Sequence, residues 1–387
     1  MLAIAGAGAA RADCPAANQF AYSFAGANGA TLNYGNSYSY TATSTSAGNR
    51  SFTVSFQTFG LTSSVINGAQ MPAINTLIND GGTTNRNLMI GGTFGARTAV
   101  IGNNSNVIVT RFTFAQAVRD FTIQVNDIDF SSDQYRDWLQ VTGSNGAASY
   151  TPVMTTPFGQ TNQGTGPRTA TNSSLTLGPT TTPVTIAQSQ ATGTGISDNQ
   201  DNAGTVTASF AQPVTVIELR YANYPYSGTD NGGTGQQAYG IQRVSFCPLP
   251  SLTAVKSSTP YVTASTDPAR FNIPGADVLY TISVTNTGGS PAELSGALLT
   301  DVLPPQVRFY NGDIDGAGPL TGPLEAIYSG GTTVTGGAVA YSNNAGSSYT
   351  YTPVAGYDPA VDALRMSGTG TIPAGGAITL RFRARID

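Results

Sequence analysis

An alternation of apolar and polar residues in segment 277–304 most constrains what this chain can fold into. From residue 278 to residue 284, every second side chain is apolar, and the side chains between them are mainly polar. A period of two is typical of a β-strand with one buried face. The glycines that follow Thr287 supply the positive φ of a tight turn. The segment therefore predicts a strand, a turn and a second strand that ends at Pro304.

The rest of the chain carries the same kind of signal. Helical patterns are nearly absent, the exception being a weak one near residues 69–78. Many short runs rich in β-branched and aromatic residues are separated by Gly, Pro and Asn clusters, which favours a β-sandwich or jelly roll. The predicted strands are 51–59, 107–114, 121–128, 138–142, 184–188, 206–210, 214–221 and 239–246. We therefore predict an all-β protein.

Two prolines, Pro248 and Pro250, mark a domain boundary, because proline cannot donate to a strand ladder and stiffens the link. We predict a jelly-roll-like β-sandwich over residues 13–249 and a second β-sandwich over residues 250–387. The second domain closes with a strand over residues 378–386, whose arginines form one exposed face. Arginines on an edge strand discourage unwanted pairing; contact with an acidic partner surface is the alternative reason for them.

The motifs "YTISVTNTG" and "TDVLP" in the second domain resemble the conserved repeat domain of bacterial and archaeal surface proteins, known as domain of unknown function eleven. That resemblance implies an immunoglobulin-like β-sandwich of the kind found in extracellular walls, stalks and fibres, and it implies no catalytic residue. In the first domain, "DIDF", "DWLQVTG" and "YGIQRVSFC" resemble jelly-roll domains that accompany the repeat in other secreted proteins. The resemblance names no ligand.

The first domain contains an internal echo. Residues 114–118 read FAQAV and residues 210–214 read FAQPV, and each copy is followed by alternating apolar residues. Each copy predicts a strand, a corner and another strand, as the two halves of a jelly roll require. A chance similarity between two ordinary hairpins is the alternative.

The first residues favour export. Residues 1–12 resemble the end of a signal peptide, because a short apolar run precedes Ala10-Arg11-Ala12, a small-x-small cleavage pattern. A flexible N-terminal tail is the alternative. The two cysteines, Cys14 and Cys247, suit a disulfide in an exported chain; two free thiols are the alternative. We expect an extracellular or cell-surface protein.

Composition excludes several functions. With a net charge of −4 and one lysine, Lys256, the chain lacks the basic patch of a nucleic-acid-binding protein. No apolar run is long enough for a membrane-spanning helix. The chain contains no histidine, which removes the usual general base and the commonest metal ligand. We therefore expect a protein without enzymatic activity.

Four aspartates suggest a cation site. Asp127, Asp129, Asp133 and Asp137 lie where the strand periodicity breaks after residue 126. Close carboxylates repel one another unless a positive group lies between them, and Ca²⁺ prefers oxygen ligands of this kind. An ion pair with Arg136, or plain solvation, is the alternative.

A polar segment after the strand 214–221 suggests a sugar-binding surface. Tyr221, Tyr224, Tyr226 and Asp230 combine aromatic faces with a carboxylate, which suits a carbohydrate. A protein contact, or no partner at all, is the alternative. A hydrolase would need a second carboxyl near Asp129, either Asp230 or Glu218, and nothing in the sequence brings such a pair together.

These observations predict an exported structural or adhesive protein that binds itself or other surface proteins. It would assemble into a fibre or coat through strand edges, and the N-terminal segment and the last strand are the predicted donors. The alternative function is a Ca²⁺-assisted carbohydrate-binding module.

Overall fold

The prediction of an all-β fold is confirmed. In the described residues, the only helices are two short 3-10 turns, Ala16–Asn18 and Phe24–Gly26. The computed structural model describes residues 2–3, 16–45, 48–79, 85–131, 134–157, 166–177, 184–225, 235–261, 273–315 and 322–387. Residues 69–78, where a weak helical pattern occurs, contain short strands instead, since their apolar side chains pack against neighbouring strands.

The chain divides into two compact units, and the division falls between Leu249 and Pro250. One unit is Cys14–Leu249, called here the N-terminal unit. The other, called the C-terminal unit, is Pro250–Asp387 together with Met1–Asp13, of which the structure describes only Leu2–Ala3.

The N-terminal unit contains a few long strands and many short ones. They are β2 Phe20–Ser23, β3 Ala30–Thr31, β4 Ser37–Ser44, β5 Gly48–Phe59, β6 Leu61–Ser63, β7 Val65–Ile66, β8 Ala69–Gln70, β9 Ala73–Asn75, β10 Asn87–Phe94, β11 Val107–Asn126, β12 Phe130–Ser131, β13 Tyr135–Asn145, β14 Ala148–Tyr150, β15 Val153–Thr155, β16 Arg168–Ala170, β17 Leu175–Leu177, β18 Val184–Ile186, β19 Gln190–Thr192, β20 Val206–Phe210, β21 Val214–Asn223 and β22 Gln236–Pro248. The strand β1, Leu2–Ala3, precedes them in the chain.

The long strand β11 belongs to both faces of the N-terminal unit. Its first half pairs with β5 on one side and β21 on the other, and its second half pairs with β20 and β22. The register shifts between Thr113 and Val118, where the strand passes from one face to the other. Further pairings close the sheet on itself. Two predicted strands, 107–114 and 121–128, are therefore one continuous strand up to Asn126.

The internal echo lies at this crossing. Val118 pairs with Val214, and Phe121 pairs with Phe210, so the two copies are antiparallel neighbours. The first copy continues through β11, whereas residues 211–213 connect β20 to β21. Between the two faces lies a core of buried aromatic rings, among them Phe52, Phe112, Phe121, Phe210 and Phe246. Complete burial of such side chains stabilises each by about 1.5–3 kcal/mol.

The C-terminal unit is a sandwich of two sheets. Its strands are β23 Leu252–Pro260, β24 Asp277–Asn286, β25 Ala292–Val302, β26 Val307–Asn311, β27 Leu324–Ser329, β28 Thr333–Ser342, β29 Gly356–Asp358, β30 Ala363–Ile372 and β31 Ala377–Ile386. One sheet has the order β23-β24-β31-β26-β29, with β27 also paired to β31, and the other has the order β1-β25-β30-β28.

The alternation in β24 fixes its buried face. Val278, Ile282 and Val284 are buried against Leu380 and Phe382 of β31, and Tyr280 is partly buried beside them. The turn after β24 is closed by the buried Asn286, whose Nδ2 donates to the carbonyl oxygens of Ser290 and Ile372.

The last strand, β31, has neighbours on both sides, namely β24 on one and β26 and β27 on the other. The prediction that it is an edge strand and a donor for assembly is therefore wrong, because alternation specifies the face of a strand and not its place in the sheet. Its arginines are also engaged. Arg383 and Arg385 both donate to Asp277, and Arg381 donates to Glu325 over 3.1 Å.

Several predictions concern residues at the start of the chain. Leu2 and Ala3 pair with Asp301 and Thr300 at the edge of β25, and the other residues of the predicted signal peptide lie outside the described residues. Cys247 is fully buried in β22, whereas Cys14 lies outside the described residues, so their pairing stays a prediction. Within the described part of the chain, no helix is long and apolar enough to cross a membrane.

Candidate functional site

Three of the four predicted aspartates come together in the N-terminal unit. The strand β11 ends at Asn126, where the alternation breaks, and Asp127 follows with a φ of +67°. The chain then turns back, so that Asp137 of β13 donates its backbone N–H to the carbonyl oxygen of Asp129 over 2.9 Å. All three side chains are buried. Asp133 lies outside the described residues.

Asp137 is the best satisfied of the three. Its Oδ1 accepts a hydrogen bond of 2.5 Å from the Tyr221 hydroxyl and one of 3.3 Å from Gln237 Nε2. Its Oδ2 accepts a hydrogen bond of 3.1 Å from the backbone N–H of Asp129. Asp137 therefore joins β13 to β21, β22 and the loop after β11, which is a structural role.

Asp127 and Asp129 are satisfied less completely. Asp129 Oδ2 accepts a hydrogen bond of 3.2 Å from the backbone N–H of Ser197. Asp127 Oδ1 is buried and has no hydrogen-bond partner among the described residues. A buried carboxylate oxygen without a partner costs free energy. A proton or a cation bound at Asp127 would therefore stabilise the cluster.

The pKa values of all three carboxyl groups in the cluster are raised. Burial, and then the charges of Asp129, Asp201 and Asp198, raise the pKa of Asp127 well above its usual value. Burial raises the pKa of Asp129 to about 6, against hydrogen bonds from Ser197 and Tyr135 that lower it. Burial and the charge of Asp129 likewise raise the pKa of Asp137. Part of the cluster is therefore protonated near neutral pH.

A loop over residues 196–205 packs against the cluster from the other side. Asp201 shapes this loop, because its Oδ1 accepts hydrogen bonds from the Ser197 hydroxyl and from the backbone N–H of Ala203. The Ile128 N–H donates to the carbonyl oxygen of Gly204 over 2.9 Å. A Cβ on Gly204 would lie 2.7 Å from Asp127 Cα, so only glycine allows the two backbones to approach this closely.

A cavity of about 330 Å³ opens beside Asp127. Its apolar wall consists of Ile66, Leu77, Ile78 and Ala238, and its polar wall consists of Asn67, Asp127, Gln134, Tyr135, Asn199, Gln236 and Gln237. We call this the Asp127 cavity. Asp127 is the only acidic or basic side chain among the described residues of that lining, and Gln237 Oε1 is buried without a hydrogen-bond partner among them. The polar groups that these described residues present are mainly amides, with one carboxyl and no basic group.

A second hollow, of about 350 Å³, lies elsewhere on the N-terminal unit. It is lined by residues that include Val100, Trp138, Gln140 and Gln190. The Trp138 indole N–H donates to Gln190 Oε1 over 2.9 Å, so the polar atom of that ring is already satisfied within the protein.

The predicted Ca²⁺ site stays a prediction. Among the described residues, no group of three or more His, Cys, Asp or Glu side chains is arranged to hold a metal ion. Asp127 and Asp129 retain the oxygen chemistry that Ca²⁺ prefers. The alternative, an ion pair with Arg136, also stays a prediction, since Asp133 lies outside the described residues. Arg136 Nη1 donates to the carbonyl oxygen of Gly193 over 2.5 Å, and the guanidinium lies over the Phe130 ring.

The predicted tyrosine surface does not form at Tyr221. This side chain is fully buried and donates to Asp137, so the prediction that it binds a ligand is wrong; its place in the strand β21 directs it into the core. Tyr224 is half-buried, packs against Trp138 and donates to the carbonyl oxygen of Thr185. Tyr226 and Asp230 lie outside the described residues.

The hydrolase pairing of Asp129 with Glu218 also fails. Glu218 lies in β21, where its two carboxylate oxygens accept from Arg111 and Arg220 over 2.6 and 3.0 Å. These ion pairs occupy the carboxylate, and the other candidate, Asp230, lies outside the described residues.

Sequence reasoning missed most of the cavity. Gln237 belongs to β22, where it pairs with the distant Gly92 of β10, and single amides give no motif. The run Ser197-Asp198-Asn199-Gln200-Asp201 was a usable signal, because Asp and Asn at this density favour turns that hydrogen-bond their own backbone.

Comparison with known proteins does not identify a family for this chain. No family model matches the sequence, and no curated protein matches it significantly.

Proposed function

We propose that this protein is an exported, non-enzymatic adhesive or structural protein, and that its N-terminal unit binds a neutral carbohydrate in the Asp127 cavity. The observation that carries this proposal is the lining of that cavity, in which amide groups and one carboxylate face an apolar wall. Amides offer a donor and an acceptor side by side, which matches adjacent hydroxyl groups on a sugar ring. The apolar wall suits the C–H face of the ring.

The charge of the lining supports a neutral ligand. None of the described lining residues is basic, so they offer no ion-pair partner to a phosphate, sulfate or carboxylate. The same lining supports binding over hydrolysis. Glycoside hydrolysis uses two carboxyl groups that flank the scissile bond, and Asp127 is the single carboxyl among the described residues of the lining.

The test is binding of the full chain to a panel of neutral and acidic polysaccharides. We expect a neutral polysaccharide to bind, and Asn199→Ala to weaken that binding about tenfold, as the loss of one hydrogen bond of about 1.4 kcal/mol implies. Asn199 suits this test, because it is exposed at the cavity and, in the described part of the chain, its backbone oxygen accepts from Asn79 while no bond to its side chain is seen. Gln140→Ala, in the second hollow, is the matched control and should leave binding unchanged.

Failure to bind any neutral polysaccharide would refute the carbohydrate proposal, as would an equal effect of the control variant. Release of new reducing ends by the wild-type protein would refute the proposal of a non-enzymatic role.

A separate observation favours a structural role as a fibre or coat subunit. The edge of β25 accepts an added strand, because Leu2 and Ala3 pair with Thr300 and Asp301 there. The rest of this edge pairs with no other described strand, and an open edge is a template for β-augmentation. Electron microscopy of producing cells, with an antibody to this chain, should reveal labelled fibres or a coat. Dispersed single particles would refute assembly and leave carbohydrate binding to be judged by its own test.

A further inference from the structure

The single lysine of the chain contacts a buried carboxyl group in the C-terminal unit. Lys256 lies on β23 and Asp301 lies on β25. Lys256 Nζ is 2.9 Å from Asp301 Oδ1 and 2.7 Å from Oδ2. Asp301 is fully buried, whereas most charged pairs at protein surfaces remain largely solvated. This pair therefore differs from an ordinary surface salt bridge.

Two aromatic rings lie beside the ammonium group. The Lys256 ammonium lies 4.7 Å from the centre of the Tyr280 ring and 6.0 Å from that of the Phe382 ring. These two rings stack on each other with centres 5.2 Å apart. Burial of the Asp301 carboxyl group disfavours its charged form.

Burial also raises the pKa of Asp301, against the opposing effect of the Lys256 hydrogen bond and charge. The raised pKa favours the protonated form of Asp301. Transfer of a proton from Lys256 Nζ, which is in contact with the carboxylate, gives a nucleophilic amine beside a protonated carboxyl group.

We propose that Lys256 and Asp301 condense to form an intramolecular amide bond. The Lys256 amine attacks Asp301 Cγ, and the Nζ–Cγ bond forms as the carbonyl π bond opens. The tetrahedral intermediate then transfers a proton from Nζ to the departing hydroxyl group, the C–O bond breaks, and water leaves. One amine and one carboxylic acid give one amide and one water, so the step needs no oxidant or other reactant.

The amide bond would join the two sheets of the sandwich. β23 belongs to the sheet that contains β24 and β31, and β25 belongs to the sheet that contains β30 and β28. The bond would also close a covalent loop between residues 45 positions apart. Such a link resists separation of the sheets, as a protein under mechanical load at a cell surface requires. The chemistry does not depend on the proposed ligand.

The first test is peptide mapping of the full-length protein after reduction, alkylation and digestion with trypsin. Trypsin cuts after unmodified lysine and arginine, so an unlinked chain gives the separate peptides 244–256, 257–270 and 271–308. The linked chain should instead give peptides 244–270 and 271–308 as one branched species, lighter than their sum by one water molecule. Recovery of the three separate peptides as the main products would overturn the proposal.

The second test uses the fact that Lys256 carries the only side-chain amine. Under denaturing conditions, an amine-reactive label should not modify residue 256 in the wild-type protein. The variant Asp301→Ala, which removes the carboxyl group, should become labelled there and regain the mass of one water. The variant Lys256→Arg is the matched control, because it keeps the charge and the ion pair but cannot condense. Lys256→Arg should also have the full mass of an unlinked chain. A wild-type protein that likewise had its full unlinked mass would refute the amide.

Discussion

The substitution Asp129→Asn tests the electrostatics of the buried cluster. Asparagine keeps the size of the side chain and an oxygen that accepts from Ser197. It removes a group whose folded pKa, about 6, lies above the usual 3.8. Because the folded pKa is raised, the folded state binds more protons than the unfolded state between these values. The stability of the wild-type N-terminal unit should therefore fall as the pH rises from 4 to above 6.

The size of the effect follows from the shift. About two pKa units correspond to about 3 kcal/mol. For a unit of this size, 1 kcal/mol shifts the melting temperature by about 2–4 °C. With a chelator present at pH 8, Asp129→Asn should thus raise the melting temperature by about 6–12 °C. At pH 5, where the wild-type carboxyl is largely protonated, the gain should be much smaller.

Differential scanning calorimetry at both pH values measures this difference. Asp120→Asn is the matched control, since Asp120 is partly exposed in a pair with Arg119 and has a positive φ that asparagine tolerates. A loss of stability in Asp129→Asn at pH 8 with chelator would refute the reasoning. If Ca²⁺ binds the cluster, adding it at pH 8 should raise the melting temperature of the wild-type protein and not that of Asp129→Asn.

Three further predictions concern other parts of the fold. Gly193→Ala should strongly destabilise the N-terminal unit, because its Cβ would lie 2.0 Å from the carbonyl group of Asp129; thermal unfolding should show this, whereas Gly26→Ala, with open space around it, should have little effect. Asp277→Asn should lower the melting temperature of the C-terminal unit at pH 7. Burial raises the pKa of Asp277, but hydrogen bonds that include those from two arginines outweigh burial and lower the pKa. The wild-type unit should therefore lose stability as the pH falls below 4, and the variant should lose less. Equal acid sensitivity of the two proteins would contradict this. If Cys247 forms the predicted disulfide, a reductant should lower the melting temperature of the N-terminal unit by several degrees, and an unchanged transition would argue against the bond.

The sequence predicted the class of the fold and the faces of its strands. In β24 and β31, the period of two identified the residues that pack into the core, including Ile282, Leu380 and Phe382. Such patterns are local, because the pleat sends neighbouring side chains to opposite faces whatever the strand pairs with. The division between Leu249 and Pro250 had a local signal of the same kind in its two prolines.

The candidate site was only partly predictable. The break in alternation after Asn126 located Asp127 and Asp129, since a bulge or turn leaves a local mark on the pattern. Their surroundings, however, depend on the loop over residues 196–205, from which Ser197 donates to Asp129. The same holds for Asp137, whose carboxylate accepts from Tyr221 and Gln237 of other strands. No local pattern records which distant segment covers a turn.

Strand order was decided by the tertiary structure alone. The place of β31 inside its sheet, the closure of the N-terminal sheet through β11, and the contact of Lys256 with Asp301 all depend on pairings between segments far apart in the chain. Alternation determines which side of a strand is apolar, and that information is present in the residues themselves. The neighbour on each edge is chosen by backbone hydrogen bonds, which every sequence offers alike, and by the packing of the complete core.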